Sequence, residues 1–342
     1  MSLWRERDER YIIAHEFPAA IIELATSRDI SIDKLLRGTG IFWEDYLSGE
    51  LRIKPDQCLQ LLLNIRRLLP EKDTAFLLGH RLYPGNFGTA LNTVWFSCDL
   101  ADAIDNFTCH QASLTPLLFA RKSVDTEYLY LHWQNNIACG EHFSFLLEMM
   151  MTAITSLCSH LTGVGAQWEY LIPGDIDAPE QYQVNFGAKV HAKQHIAAMR
   201  IPRQFLSTPC QYANNTSSTI ARNQYQKQQQ GTATLGFVAY IDECIRNAEA
   251  QQLSLETLAE QLSMSPATLK RKLKKHNTSF QHRYDTVRKE LVIDWLTRQQ
   301  LSIDEIAQRL HFHDSRNLRR AFKRWTGALP SAIKTRTSLE PL

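Results

Sequence analysis

The sequence predicts a mixed fold, in which an α+β N-terminal domain precedes an all-α C-terminal domain with two helix-turn-helix motifs joined by a long helix. Three observations lead to this prediction. Apolar residues recur at helical spacing through the first 110 residues, alternating strand patterns follow between residues 116 and 202, and the C-terminal part repeats a pair of short helices. The expected domains are residues 1–206 and 234–342, with a polar linker at residues 207–233.

The first part of the chain has the spacing of amphipathic helices in four segments. They are FPAAIIELATSR, KPDQCLQLLLNIRRLLP, DTAFLLGHRL and DLADAIDNFTCHQASL. Asp73 and Asp99 stand where an acidic side chain stabilises the start of a helix. We therefore expect the chain to begin with a layer of helices.

The period then changes to that of strands. PLLFARKSV and EYLYLHWQ are separated by the dipeptide DT, which predicts a strand pair. HFSFLLEMMMTAITSLCSHLTG predicts a long helix that ends at Gly163. Further strands are expected around QWEYLI, AKVHA and HIAAMRIP, so the N-terminal domain combines helices with a sheet.

The linker candidate, residues 207–233, is rich in Gln, Asn, Ser and Thr and poor in aliphatic residues. Its middle retains the composition of a short polar helix. Both readings of this stretch stay open at the level of sequence.

Charge is unevenly distributed along the chain. Residues 236–342 hold 18 of the 38 Lys and Arg residues and 12 of the 36 acids, which gives a net charge of +6. The preceding residues carry a net charge of −4. Five bases and no acid fall between Arg316 and Arg324. Such a run needs solvent or an anionic partner, and a polyanion is the partner that a basic C-terminal half predicts.

Several classes of protein and site are not expected. The N-terminus lacks the pattern of a signal peptide, and no segment approaches the roughly 18 apolar residues of a membrane span. Seven scattered cysteines without a CxxC pair are typical of reduced thiols, so we expect a cytoplasmic protein. His191 and His195 have no apparent third ligand, and no phosphate-binding or dinucleotide motif occurs, so no metal or cofactor is expected.

Two segments of the C-terminal half resemble each other. SLETLAEQLSMSPATLKRKLKK begins at Ser254, and SIDEIAQRLHFHDSRNLRRAFKR begins at Ser302, with an offset of 48 that becomes 49 after one inserted residue. In each copy a serine caps a short helix, a tight turn follows, and a second helix carries the bases. A basic helix on a small core is what the major groove of DNA admits.

The segment between the copies, FQHRYDTVRKELVIDWLTRQQ, predicts an uninterrupted helix of roughly 19 residues, about 28 Å long. Successive major grooves recur about every 34 Å along one face of the duplex. We therefore expect double-stranded DNA as the partner, with one protomer contacting two neighbouring grooves.

The quoted motifs resemble the AraC/XylS family of bacterial transcription regulators, through LAEQLSMSPATLKRKLK and SIDEIAQRLHFHDSRNLRRAFKRWTGALPSAIK over residues 235–336. Residues 12–205 are similar to the arabinose-binding-type sensor domain, through FPAAIIELATSRDISIDKLLRGTGI, FLLGHRL and FGTALNTVWFSCDLADAIDNF. Within the family, the chain resembles the subgroup of ornithine-utilisation and quorum-sensing regulators. The resemblance implies a sequence-specific, effector-responsive activator that contacts RNA polymerase and forms a homodimer through its sensor domain.

The resemblance also implies which side chains contact DNA. Those expected at base edges are Ala267, Thr268, Lys270, Arg271, Arg316, Asn317 and Arg320. Those expected at phosphates are Ser265, Lys274, Lys275, Arg319, Lys323 and Arg324. The chain departs from the family where Ser263 and His311 replace glycines of the turns, where Ile333 replaces a tyrosine, and where Ala267 replaces a larger side chain of some relatives.

A small-molecule effector of unknown identity is expected in the N-terminal domain. The aromatic and polar residues that could line its pocket are Trp95, Tyr128, Tyr130, His132, Trp133 and Trp168, with Arg81 and Arg121 as further polar anchors. Two other functions stay open: a constitutive DNA-binding protein without a ligand, and an enzyme domain fused to a DNA-targeting domain. Glu141, Glu148 and Asp175 could supply carboxylates to such an enzyme, but their spacing does not require it.

Overall fold

The N-terminal half begins with a helical layer, as the spacing of its apolar residues predicted. The computed structural model describes residues 3–165, 167–187, 189–229, 234–248 and 253–335. The first helices are α1 (Phe17–Ser27), α2 (Ile32–Leu36), α3 (Trp43–Leu47), α4 (Pro55–Leu68), α5 (Thr74–Leu82), α6 (Gly88–Trp95) and α7 (Leu100–Leu114). Asp99 caps α7 by accepting a hydrogen bond from the backbone N–H of Asp102 at 2.9 Å. Asp73 precedes α5 without such a bond.

A five-stranded sheet packs beside these helices. Its strands are β3 (Leu118–Val124), β4 (Tyr128–Asn135), β5 (Glu169–Pro173), β6 (Val190–Gln194) and β7 (Ala198–Pro202), and β1 (Ile12–Ile13) pairs separately with β2 (Arg52–Ile53). The order is β3-β4-β7-β5-β6, antiparallel except for β5 and β6, which are parallel and joined by α9 (Pro179–Phe186). Asp125 accepts hydrogen bonds from the backbone N–H groups of Glu127 and Tyr128 at 2.8 and 2.7 Å. These bonds fix the predicted β3–β4 hairpin.

Helix α8 (Phe143–Thr162) packs closely against α5. A Cβ atom at Gly79 of α5 would lie 2.5 Å from the carbonyl oxygen of Met149, so only glycine allows this approach. By length and composition, residues 140–162 could cross a membrane, but 67% of their most apolar window is buried inside the protein. The helix is therefore the core helix of its domain, and Gly163 ends it with a φ of 71°.

The stretch interpreted as a linker contains helix α10 (Asn215–Gln229). Ser218, Ala221 and Tyr225 form its narrow buried stripe, and the ring of Tyr225 meets the imidazole of His110 edge-on at 4.3 Å. Arg222 also pairs with Asp102 of α7 at 2.6 Å. A narrow buried stripe and an ion pair thus hold a mostly polar helix against the N-terminal domain. Residues 230–233 lie outside the described chain.

The C-terminal domain consists of helices around a core of its own. They are α11 (Phe237–Asn247), α12 (Leu255–Gln261), α13 (Pro266–Lys275), α14 (Phe280–Thr297), α15 (Ile303–Arg309), α16 (Ser315–Thr326) and α17 (Pro330–Thr335). Asp242 of α11 and Arg283 of α14 form a buried bidentate ion pair that ties the long helix to the first one. Ile333, which stands where the family has tyrosine, is buried in this core.

The two domains meet at a short backbone junction. The backbone N–H of Gly236 donates to Oδ1 of Asn136 at 2.6 Å, and a Cβ atom at Gly236 would lie 2.2 Å from the carbonyl oxygen of Asn136. Arg5 pairs with the same segment, since its N–H donates to Leu235 O at 2.8 Å and its carbonyl accepts from Phe237 N–H at 3.0 Å. The start of the C-terminal domain is thus held by residues from two places in the N-terminal domain.

Candidate nucleic-acid interface

Two helix pairs, α12–α13 and α15–α16, form the predicted duplicated motif. Ser254 and Ser302 cap the first helix of each pair. The side chains of Thr257 and Glu305 in turn accept a hydrogen bond from the backbone N–H of the capping serine. The second helices are capped by Ser265, which accepts from Thr268 N–H at 3.2 Å, and by Asp314, which accepts from Asn317 N–H at 2.6 Å. Local sequence therefore sets where each of these helices begins.

The turns between the helices contain Ser263 and His311, with φ angles of 54° and 53°. Both residues occupy the left-handed region that the family's glycines would reach without strain, as the resemblance implied. After each turn the chain bonds back to a buried alanine. Met264 N–H donates to Ala259 O at 3.0 Å, and Phe312 N–H donates to Ala307 O at 2.8 Å.

The second helices α13 and α16 are strongly two-sided. Leu269 and Leu273 of α13, and Leu318 and Phe322 of α16, are at most 1% exposed and fill the core. Trp325 is half-buried against the same core. The polar side chains lie on the opposite face, so each helix presents a basic surface while it is anchored by large apolar residues.

The side chains predicted to contact DNA lie on that surface, and all are exposed except Thr268, which is half-buried. Seven of them are cations whose charged groups make no ion pair or hydrogen bond within the described chain. These are Lys270, Arg271, Lys274, Arg316, Arg319, Arg320 and Lys323. Like charges that lack partners and share a face favour an anionic ligand.

Four other predicted residues are already engaged. Lys275 pairs with Asp8 at 2.7 Å, and Arg324 lies 3.7 Å from Asp285. The hydroxyls of Ser265 and Thr268 are 2.9 Å apart. A DNA contact by any of these residues would therefore compete with, or add to, an existing bond.

The long helix α14 separates the two motifs. Ser279 caps it by accepting from His282 N–H at 3.2 Å, and its 18 residues run about 27 Å. This length agrees with the spacer that the sequence predicted.

A contact that the sequence did not reveal involves the N-terminal segment, residues 3–8. Lys272 of α13 bonds to the Glu6 carboxylate and lies 5.7 Å from the ring of Trp4, while His276 Nε2 is 3.6 Å from Glu6. Burial raises the pKa of Glu6, but the bonds from His276, Lys272 and Trp4 outweigh it and lower the pKa to about 2. Helix α13 is thus held by the Glu6 carboxylate of a segment near the N-terminus of the chain.

Three of the predicted pocket residues, Tyr130, His132 and Trp133, line a cavity of about 120 Å³ between the sheet and α14, together with Arg121. His132 is buried, and its Nε2 lies 2.8 Å from Ser123 Oγ. Burial, followed by the charges of three nearby arginines, holds the pKa of His132 well below its usual value, so the ring is neutral.

The other three predicted residues do not line this cavity. Tyr128 stacks under the guanidinium of Arg200 at 4.2 Å, and Trp95 stacks on Tyr212 at 5.0 Å. Trp168 is 2% exposed in the core of the domain. Each of these rings packs against other protein groups instead, as large aromatic side chains usually do.

Two charged groups of this interdomain cavity, Glu290 and Arg298, bond across it to the sensor sheet. Glu290 of α14 accepts hydrogen bonds from Gln134 of β4 and Arg246 of α11 at 2.5 and 2.8 Å. Arg298 follows α14, and its guanidinium donates to Ser123 Oγ at 2.9 Å and to Val124 O at 3.0 Å. These bonds join the sensor sheet to the long helix of the C-terminal domain.

The three carboxylates considered for catalysis do not come together around one cavity. Glu148 and Asp175 line a surface cavity beside α8, with Glu148 bonded to the Tyr182 hydroxyl, and Glu141 lines another. The described residues contain no group of three or more His, Cys, Asp and Glu side chains placed to hold a metal ion.

Two family models match the chain. The arabinose-binding domain of AraC transcription regulators matches residues 30–210, which is more than half of the chain, and a helix-turn-helix domain matches residues 258–336. The chain belongs to the AraC family of transcription regulators. As the sequence predicted, this AraC-type chain is a DNA-binding regulator with an N-terminal ligand-binding domain and a C-terminal helix-turn-helix domain.

Relatives of the AraC-type chain are regulators as well. It is 29% identical to the Ornithine utilization regulator of Pseudomonas aeruginosa, over 92% of this chain and 94% of that protein. It is 34% identical to the regulator VqsM of the same species, over 22% of this chain and 24% of the relative. The crystal structure of the regulator CdpR from Pseudomonas aeruginosa aligns with 95% of this chain and 100% of that one, at 15% identity and a TM-score of 0.43.

Proposed function

We propose that the protein is an effector-responsive activator in which each protomer inserts α13 and α16 into two successive major grooves. One observation carries this proposal: seven unpaired, exposed cations lie on two helices that flank the rigid helix α14. The length of that spacer, about 27 Å, is compatible with grooves that recur about every 34 Å.

The exposed side chains divide into two roles. Lys270, Arg271, Arg316 and Arg320 suit the N7 and O6 acceptors of guanine, and Asn317 suits adenine. Ala267 and Thr268 offer small contacts beside them. Lys274, Lys275, Arg319, Lys323 and Arg324 suit phosphates, as does the hydroxyl of Ser265, and these contacts position the protein without specifying sequence.

Regulation is proposed to work by a shift of populations. An effector in the N-terminal domain changes how two protomers are arranged in a homodimer, and so how well four recognition helices fit an operator. Activation through contact with RNA polymerase, a cytoplasmic location and the absence of catalysis belong to the same proposal. The similarity to an ornithine utilization regulator along nearly the whole chain supports a response to a small metabolite.

The test is the affinity of the full-length protein for DNA sites selected from its own genome, compared with a random duplex of equal length. The proposal expects selected sites to bind at least about 10³-fold more tightly, with affinity that falls steeply with salt. Equal affinity for both duplexes would contradict a sequence-specific regulator. An unchanged operator affinity across all metabolites that stabilise the protein would favour a constitutive DNA-binding protein.

A further inference from the structure

A second cavity lies wholly within the N-terminal domain. It has a volume of about 610 Å³ and lies between the β1–β2 ribbon, the start of α6, the end of α7 and α10. That volume falls within the range of about 300–1,000 Å³ that is typical of small-molecule sites. Its lining includes Arg5, Arg10, Glu16 and Arg52, so charged groups from distant parts of the sequence face one space.

The guanidinium of Arg5 lacks a counter-ion. Arg5 is 7% exposed, and its two terminal nitrogens donate to neutral oxygens, those of Ala112 at 3.1 Å and Gln229 at 3.4 Å. Its Nε is buried and has no hydrogen-bond partner in the described chain. Burial lowers the pKa of Arg5, because the charged form has lost water without gaining an anion.

The other charged groups of this cavity are also unpaired. Within the described residues, neither Arg10 nor Arg52 makes an ion pair or a side-chain hydrogen bond, and the Glu16 carboxyl makes none either. Burial raises the pKa of Glu16 to about 7, and the charges of Arg52 and Arg5 offset this only partly. Opposite charges therefore face the same cavity without touching each other.

The interdomain cavity differs in this respect. Of its charged lining groups, Lys193, Arg200, Glu290, Asp294 and Arg298 are already bonded to protein partners. Within the described residues, Arg121 is the lining cation whose side chain makes no ion pair or hydrogen bond. Among the described residues, the interdomain cavity thus offers a ligand one unpaired cation and no unpaired carboxylate, whereas the larger cavity offers unpaired groups of both signs.

We propose that the larger cavity is the effector site and that it binds a small zwitterion of the α-amino-acid class. The ligand carboxylate is held by the guanidinium groups of Arg5 and Arg52, and the ligand ammonium is held by the carboxylate of Glu16. Charge-assisted hydrogen bonds of this kind are the strong ones in a partly desolvated site. The proposal rests on the proposed function for its regulatory meaning but not for binding itself.

Arg5 connects the cavity to the DNA-binding domain. Its backbone bonds to Leu235 and Phe237 at the domain junction. The adjacent Glu6 holds Lys272 of α13 and contacts His276, the residue that follows this helix. A ligand that draws the Arg5 side chain into the cavity would therefore shift the N-terminal segment, residues 3–8, which contacts α13.

The experiment measures thermal stability of the full-length protein with each standard α-amino acid at about 10 mM, since a ligand of the folded state raises Tm by mass action. Inorganic phosphate and the deaminated carboxylic acid of each stabilising amino acid are tested in parallel. We expect at least one amino acid to raise Tm, with its deaminated analogue and phosphate having little effect.

Calorimetric titration of the stabilising amino acid then locates the site. Arg52→Gln and Glu16→Gln remove charges from positions outside the core, so the fold should survive, and each should weaken binding about tenfold or more. Arg37→Gln and Glu23→Gln remove charges from exposed positions of the same domain outside the cavity, and should bind as the unaltered protein does.

Three results would overturn the proposal. One is that no amino acid raises Tm; another is that the variants Arg52→Gln and Glu16→Gln bind with unchanged affinity. The third is stabilisation by phosphate that does not depend on Glu16, which would make the cavity an anion site. DNA binding by the ligand-free protein is measured separately, so its failure would remove the proposed function and leave the zwitterion site standing.

Discussion

Lys275 Nζ of the first recognition helix lies 2.7 Å from the carboxylate of Asp8, the last residue of the N-terminal segment. Both side chains are about half exposed, so the pair contributes little to folding stability. Its consequence concerns DNA instead, because Asp8 and Glu6 place negative charge beside a surface that must receive phosphates.

Removing this acid should strengthen DNA binding. For Asp8→Asn we expect a severalfold higher affinity for any duplex and a salt dependence steeper by about 0.9, the contribution of one additional phosphate contact. Fluorescence anisotropy at several salt concentrations measures both. Asp105→Asn breaks a comparably exposed pair with Lys122, far from the recognition helices, and should change neither quantity. Equal effects of the two variants would show that net charge alone is responsible.

The stabilisation that the contacts of Glu6 with Lys272 and His276 contribute should depend on pH. The folded pKa of Glu6, about 2, lies below its ordinary value of 4.5, so its stabilisation is present above pH 4.5 and is lost as the pH falls toward 2. We expect Glu6→Gln to lower the free energy of unfolding by on the order of 2 kcal/mol at pH 7. The difference from the unaltered protein should shrink as the pH is lowered from 5 to 3. A difference that stays constant over that interval would contradict the ion pairs described for Glu6.

Glycine in place of either left-handed turn residue should stabilise the folded protein. Ser263→Gly and His311→Gly each relieve a positive φ, and we expect each to raise the free energy of unfolding by up to about 1 kcal/mol, reduced by the greater freedom of glycine in the unfolded chain. Chemical denaturation measures this effect. Ser263→Ala keeps the Cβ atom and should give no gain, so stabilisation by alanine would refute strain as the cause.

Two substitutions on α16 should distinguish a base contact from a phosphate contact. Arg320→Ala should relax sequence preference at one position and cost about 1–3 kcal/mol on the specific site. Lys323→Ala should weaken binding to all duplexes about equally and flatten the salt dependence by about one unit. Both side chains are exposed and unpaired, so neither change should affect folding. Equal losses on specific and random DNA for both variants would contradict the division of roles.

The features that sequence could predict are those set by neighbours along the chain. Ser254, Ser302 and Asp314 cap their helices because a short polar side chain reaches the N–H three residues ahead. The left-handed turn at Ser263 followed from the glycine that the family places there. Helix caps and tight turns are set by a few adjacent residues, and the duplicated motif contains each of these features twice.

The features that sequence could not predict depend on contacts between distant residues. Glu6 and Lys272 are 266 residues apart, and the composition of residues 3–8 gives no sign that they reach α13. Helix α10 looks like a linker because only Ser218, Ala221 and Tyr225 are buried, and their partners lie on α6 and α7. The charged cavity unites Arg5, Glu16 and Arg52 only once the β1–β2 ribbon has formed.

Insertion of α13 and α16 into neighbouring grooves is tested most directly by a missing-contact footprint of the full-length protein on its operator, repeated with two double variants. One carries Lys270→Ala and Arg271→Ala in α13, and the other carries Arg316→Ala and Arg320→Ala in α16. We expect each variant to lose contacts in a different major groove, with the two regions centred about 10 base pairs apart on one face of the duplex. Loss of the same contacts in both variants, or no change with either, would contradict the paired insertion of α13 and α16.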